Sequence, residues 1–249
     1  MLSRAWSDRQ RNAGVHSSSD DDTRRGTLLP IVSSMLRLDC HSHTNRSPDG
    51  WMKPAELVER AREIGLDRIV VTDHGEIEGA LEAHSLAPRL VIVGEEITAA
   101  CGTDVIGIFV TERIPQRLPF AEVVERLRAQ GAIIYAPHPF AYARSSAARA
   151  QRVLAVADVA EVFNARAFLP RWNRDARQAA ASRQLPMAAG SDAHFGRELG
   201  RAYTEVPDFR TAAELRAALR ATAPVCVRLS SPFIHLASGS LIVVRKMTR

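Results

Sequence analysis

The chain has 249 residues, 46% of them apolar, which is ample for one domain with a sizeable core. Its formal net charge of +5 is almost wholly arginine, since Lys53 and Lys246 are its lysines, and reads as compositional bias rather than a nucleic-acid surface. No run approaches the ~20 apolar residues of a membrane span. The three cysteines, Cys40, Cys101 and Cys226, are too widely spaced for a disulfide framework or a CxxC site and point to a reducing, cytoplasmic setting.

Residues 1–34 are polar and irregular, with HSSSDDDTRR at their centre. Arg24-Arg25 before GTLLPIV is a faint export signal, but Pro30, Ser33 and Ser34 interrupt the apolar stretch. The expectation is a disordered tail, with Met35 as an alternative start and residues 35–249 as the domain. Leu36 to Cys40 reads as a strand ending at His41. Pro54 to Ile64 reads as a helix, with proline suited to its first turn and Gly65 to its stop. Asp67 to Thr72 is a continuous apolar strand of the kind buried on both faces. Glu76 to Ser85 is helical. Leu90 to Ile97 and Val105 to Val110 are strands joined by a turn around Gly102. A helix over Phe120 to Gln130, a strand over Ala132 to Ala136, a helix over Ala147 to Ala155 and a strand over Val159 to Phe163 follow. Trp172 to Arg183 is a helix and Pro186 to Ala189 a strand. Thr211 caps a last helix, with Glu214 completing a capping box. Val225 to Val244 has no clear pattern.

Alternating strands and helices imply a mainly parallel sheet. Five histidines, His41, His43, His74, His138 and His194, fall at the ends of apolar runs in LDCHSHT, VTDHG, APHPF and GSDAH. Asp39, Asp49, Asp73, Glu96 and Asp192 lie close to them or on like strand ends. Imidazole and carboxylate together suit Zn, Mn or Fe. Ligands at strand ends fit a closed or nearly closed barrel with its site at one end, rather than an open sheet. His41 and His43, at i and i+2 of a strand, share a face and can reach one ion.

The ordered strings HSH, SPDG, TDH, GEE, PHPF and GSDAH resemble the PHP (polymerase and histidinol phosphatase) family over 36–230, most of all its small stand-alone phosphoesterases. The resemblance implies a distorted (β/α)7 barrel. It also implies a two- or three-metal site that hydrolyses phosphate esters through a metal-bridging hydroxide. His41 and His43 would hold one metal. Glu96 would bridge it to a second, served by His138. Asp49, His74 and His194 would hold a third. Asp192 would ligate the first metal and contact the attacking water, and Asp192 or His194 would help move protons. Many relatives carry a histidine on the strand after the glutamate. This chain has GTDVIGIFV there, so Asp104 is either an oxygen ligand in its place, favouring Mn over Zn, or a turn residue.

Around that set, Asp39 and Asp73 are either partners that orient an imidazole or strand-end caps, Glu95 is exposed or supports the ligands from behind, and Glu161 supports them as well. His16, His84 and His235 have no neighbouring pattern. Arg144 and Arg166, on loops at the mouth, are the candidates for phosphate, with Arg201 a weaker one. Asn164 either meets a sugar hydroxyl or ends its strand. The expected substrate is a small phosphomonoester, a nucleotide bisphosphate or the end of a short RNA, with no membrane partner; the oligomeric state is left open. Two rivals stand beside this reading. An amidohydrolase would want a carboxylated lysine, and neither lysine falls on a barrel strand. A non-catalytic PHP module would have lost ligands, and this chain keeps nearly all.

Overall fold

The structure, a computed structural model, describes residues 35–141, 146–222, 224–226 and 228–230. The expected tail at 1–34 and most of the unpatterned C-terminal segment lie outside these. The chain runs β1 (Leu36–Ser42), α1 (Pro54–Glu63), β2 (Arg68–Val71), α2 (Glu78–Leu86), β3 (Val91–Thr98), β4 (Asp104–Ile108), α3 (Phe120–Ala129) and β5 (Ile133–Ala136). It continues through α4 (Ser146–Leu154), β6 (Val159–Asn164), α5 (Pro170–Ser182), β7 (Met187–Gly190), β8 (Ala202–Val206), α6 (Ala212–Ala218) and β9 (Pro224–Cys226).

Local chemistry accounts for the element ends. The Glu56 carboxylate accepts the Lys53 backbone N–H at 3.0 Å, ahead of Pro54 in the first turn of α1. Gly65 closes that helix at φ +74°, where a side chain would be strained. Thr211 Oγ1 accepts the Glu214 N–H at 3.2 Å, as the capping pattern requires, but the Glu214 carboxylate reaches the Arg210 N–H at 2.7 Å, one residue further out. α5 begins at Pro170, two residues before the expected start, because proline is pre-set for the first helical position.

The nine strands lie in the order β7-β6-β5-β4-β3-β2-β1-β8-β9. β1, β2 and β3 are parallel, as are β5, β6 and β7. β4 runs antiparallel to both its neighbours, so the sheet is less uniformly parallel than strand-helix alternation suggests. The turn at Gly102 leaves no crossover helix between β3 and β4, and a hairpin can only be antiparallel. Asp104, at the start of β4, is therefore at the same end as the carboxyl ends of the parallel strands.

The sheet curls into a nearly closed barrel. At its carboxyl end the His43 N–H donates to the Ala193 carbonyl and the Asp192 N–H to the His41 carbonyl, each at 2.8 Å, around a parallel bridge between Ser42 and Ala193. At the other end β8 pairs antiparallel with β1. β8 has no counterpart in the sequence reading, although its alternating burial is that of a half-buried strand. A buried cluster including Leu38, Cys40, Val70, Ile106 and Tyr135 fills the interior, and Cys40 is there a packing residue. A second cluster packs β4, β5 and β6 under α3, α4 and α5, and a third packs β2 and β3 under α1 and α2. Among the described residues, no helix is long and apolar enough to cross a membrane.

Closure ties the core to the candidate ligands at Gly190. A Cβ built there would lie 2.4 Å from His41 Cβ and 2.5 Å from Glu161 Oε1. Gly190→Ala is therefore expected to destabilise the fold by ~1–3 kcal/mol through overpacking and to push His41 out of line. Thermal unfolding together with metal titration checks this. A variant with wild-type melting and wild-type metal affinity would show that β7 and β1 have slack here.

Candidate functional site

The carboxyl end of the barrel gathers every sequence-predicted metal candidate around Glu96. Glu96 sits on β3, 1% exposed, with both oxygens engaged. Oε2 lies 3.2 Å from His41 Nε2, 3.5 Å from His43 Nε2 and 3.4 Å from His74 Nδ1. Oε1 lies 3.1 Å from His138 Nε2. The ring nitrogens of His41 and His43 face one another at 3.0 Å, and Asp192 Oδ1 is 3.6 and 3.3 Å from the same two atoms. Asp49 Oδ2 lies 2.9 Å from His194 Nε2 and 3.7 Å from His74 Nε2.

Four overlapping groups of donor atoms result: His41, His43 and Glu96; His41, His138 and Asp192; His43, His74 and His194; and Glu96, Asp104 and His138. The donor set fits divalent ions. Buried ring nitrogens and carboxylate oxygens converge on shared points, and this mixed N/O chemistry suits Zn, Mn or Fe. Asp104 falls within the last group. Its Oδ1 accepts from Thr98 Oγ1 at 2.7 Å, and burial together with the neighbouring Glu96 raises its pKa. Two of the candidates, His138 and Asp192, hold left-handed backbone at φ +53°, which non-glycine residues adopt at a cost and which clusters at functional sites.

The charges are coupled. Burial opposes ionisation of Glu96 and Asp192, yet the surrounding imidazoles hold both carboxyls well below the usual range. Burial also opposes protonation of the histidines. Glu96 and Asp49 overcome it at His74, pushed up to about 10, and Glu96 does so at His138, at about 9. Asp192, Glu161 and Glu96 hold His41 well above the ordinary value. His43 goes the other way, to about 3, because burial is joined by repulsion from His194 and His74.

A supporting layer holds these groups. Glu161, on β6, is fully buried and accepts from His41 Nδ1 at 3.2 Å, Tyr135 Oη at 3.1 Å and Asn164 Nδ2 at 3.0 Å. This fixes His41 with its Nε2 toward the cluster. The Asn164 amide also donates to Asp192 Oδ2 at 3.2 Å, and its oxygen accepts the Arg166 N–H at 2.8 Å. Both amide protons are thus engaged inside the protein, which makes Asn164 a support of Asp192.

Other expectations shift as well. Asp39 and Asp73 orient no imidazole. Asp39 accepts the backbone N–H groups of Ser191 at 2.8 Å and Gly200 at 3.1 Å, and Asp73 accepts the Thr44 N–H at 2.6 Å and its hydroxyl at 2.5 Å. Both clamp the loops that carry the ligands. Glu95 is buried rather than exposed. It accepts the Ile114 N–H at 2.8 Å, and burial raises its pKa to about 7. His84 hydrogen-bonds the Val91 carbonyl at 2.7 Å, as an ordinary histidine does.

Among the arginines, Arg166 is buried with its guanidinium against His194 and Glu198. Arg201 lies on the far flank, bonded to the carbonyls of Arg197 and Leu229. Arg144, like His16 and His235, lies outside the described residues. Two features escaped the sequence reading. Glu198 is fully buried and accepts the His194 N–H at 3.0 Å; an acid four residues past that histidine was the available signal. Trp51 is 60% exposed, two residues past Asp49, with its N–H bonded to the His194 carbonyl and its ring stacked on Phe195 at 6.1 Å. A cavity of about 620 Å³ lies elsewhere, among Arg68, Val91, Phe109 and Phe209 at the amino ends of β2 and β3, and holds none of the cluster.

Known proteins place this geometry. A family model described as PHP-associated matches residues 170–224. A two-domain protein from Bacteroides vulgatus, containing a predicted PHP-like metal-dependent phosphoesterase, superposes with a TM-score of 0.60 at 24% identity, over 78% of this chain and 65% of that one. The chain has a PHP-like fold and carries a PHP-associated segment. An amidohydrolase from Chromobacterium violaceum, with bound sulfate and no metal, superposes with a TM-score of 0.54 at 16% identity, over 66% of this chain and 89% of that one. Two uncharacterized proteins of Methanocaldococcus jannaschii are closer in sequence. One is 42% identical over 121 residues, 46% of this chain and 51% of its own length. The other is 32% identical over 144 residues, 52% of this chain and 82% of its own length. The chain thus spans about half of the first of these relatives and just under two thirds of the Bacteroides protein.

Metal ligation needs neutral imidazoles, whereas the surrounding carboxylates favour the protonated forms of His41, His74 and His138 in the metal-free cluster. Mn or Zn uptake at pH 7 should therefore release protons, and apparent affinity should rise with pH. Calorimetric titration in two buffers of different ionisation heat measures this. Uptake without proton release would place the ions away from these histidines. Asp104→Ala should lower occupancy by about one ion, while Asp104→His should restore it with a shifted Mn/Zn preference. Full occupancy in Asp104→Ala would leave Asp104 as a turn residue.

Proposed function

We propose that the chain is a metal-dependent phosphoesterase, hydrolysing small phosphate esters. The observation that carries this reading is the Glu96 carboxylate shared by four imidazoles, with Asp192 facing two of them and Arg166 buried alongside. Two or three divalent ions, when bound, would polarise a phosphoryl oxygen and lower the pKa of water. His41, His43 and Asp192 would hold one, Glu96, His138 and Asp104 another, and His74, His194 and Asp49 a third.

The protein's own groups do the rest. Asn164 and the imidazoles keep Asp192 ionised and aimed, so its Oδ1 can accept a proton at the centre of the cluster. The Asp192 carbonyl, 2.8 Å from His194 Nδ1, orients that ring with Nε2 toward Asp49. The Arg166 guanidinium is held by Glu198, pre-set beside the site where negative charge would develop. The amidohydrolase relative supports a second reading, C–N hydrolysis. Against it, the described residues put no lysine on a barrel strand, and Glu96 would take the bridging role instead. A non-catalytic PHP module is disfavoured by the four donor groups that the site retains.

Among phosphorylated substrates, Trp51 favours a nucleotide or the end of a short RNA. Its ring is exposed, braced by Phe195 and anchored to the His194 carbonyl, so a flat base can stack on it while its phosphate reaches the cluster.

The Mn- or Zn-loaded protein should hydrolyse phosphomonoesters and leave amides intact. Amide turnover without phosphate release would favour the amidohydrolase, and no turnover on esters, diesters or amides would favour a binding module. Trp51→Ala should raise KM for nucleotide substrates ~5–100-fold, the worth of one stacked base, with little change for glycerol phosphate. Equal effects on both would remove the nucleotide preference.

A further inference from the structure

A second cavity, of about 280 Å³, opens on the flank of the barrel beside the start of β1. Four arginines line it: Arg37 on β1, Arg197 and Arg201 ahead of β8, and Arg228 after β9. Tyr203, Ile64 and Leu66 supply its aromatic and apolar wall, and the Arg37 guanidinium lies over the Tyr203 ring at 5.5 Å. Its lining contains no carboxylate.

The nearby acids are engaged elsewhere. Asp67 accepts the backbone N–H of Arg37 at 2.9 Å. Glu63 pairs with Arg60, and Glu198 with Arg166. Glu205 stands opposite Arg37 in the β1–β8 register without forming an ion pair. Among the described residues, none of the four guanidiniums lies within ion-pair distance of a carboxylate. Most of the other paired arginines of this chain meet an acid at 2.7–3.3 Å. Like charges so gathered repel, and burial together with Arg228 lowers the pKa of Arg201. Arg201 is nonetheless fixed, donating to the carbonyls of Arg197 and Leu229.

We propose that this four-arginine cavity binds a phosphoryl dianion, inorganic phosphate or the phosphate of a small monoester, at a site separate from the metal cluster. A dianion with several oxygens can take fork-shaped donors from more than one guanidinium at once, which a single carboxylate does less well. The apolar wall and small volume suit a compact anion rather than a strand of nucleic acid. Arg37 and His41 are four residues apart on β1, ~13 Å at the rise of a strand, so one phosphoryl group cannot serve both places.

Calorimetric titration of inorganic phosphate into the metal-stripped full chain tests the site. Wild type should bind phosphate saturably and gain thermal stability from it. Arg37→Gln with Arg197→Gln should weaken that binding at least about 10-fold, without changing circular dichroism or melting in phosphate-free buffer. Among the described residues, these two side chains make no hydrogen bond or ion pair that folding would miss. Arg228→Gln, on the segment after β9, should act in the same direction, so a poorly folding double variant would not remove the test. Equal phosphate affinity in wild type and variants would put the anion elsewhere and overturn the proposal, as would the absence of saturable phosphate binding. A parallel titration with a short single-stranded oligonucleotide decides the remaining case. Oligonucleotide binding whose salt slope falls in the variants, with no phosphate binding, would replace the dianion with a nucleic-acid strand.

Discussion

The carboxylate of Glu96, buried at the end of the barrel among four imidazoles, is the constraint on which the rest of the structure depends. An isolated charge in that position would cost several kcal/mol. It is tolerated because the surrounding imidazoles supply complementary charge or a hydrogen bond, and they come from the end of β1 and the loops after β1, β2 and β5. Removing any one leaves the others uncompensated. The barrel brings these chain segments together, and the cluster in turn selects this closure, in which the Asp192 N–H meets the His41 carbonyl.

Support extends outward by ordinary hydrogen-bond accounting. Asp39 and Asp73 use their oxygens on backbone N–H groups of the ligand-bearing loops. Glu161 spends its oxygens on His41, Tyr135 and Asn164, and Glu198 spends one on the His194 backbone. Buried acids in this protein thus divide into those whose oxygens face the cluster and those that hold loops and rings in place. The division follows strand parity and bulges more than residue type. Adjacent Glu95 and Glu96 point to opposite faces of β3, one to the Ile114 N–H and one to the imidazoles.

Much of this was legible in the sequence for a physical reason. Ligands at strand ends produce short, local strings, and His41 with His43 carry their geometry in an i, i+2 spacing. Continuous apolar runs such as RIVV mark buried strands without help from distant residues. What escaped depends on long-range pairing. β8 is a short strand whose place beside β1 no local pattern announces. Glu198 and Arg166 meet across 32 residues of sequence. Asp39 acts on Ser191 and Gly200, more than 150 residues away. The role of Asn164 likewise follows from Glu161 and Asp192 closing around its amide.

The most direct test of a shared buried carboxylate is elemental analysis of the purified and reconstituted chain beside Glu96→Ala. Wild type should carry at least two divalent ions per chain, and Glu96→Ala should lose most of that metal together with activity. Less than one ion per wild-type chain after reconstitution, or unchanged metal content in Glu96→Ala, would contradict a centre built around Glu96.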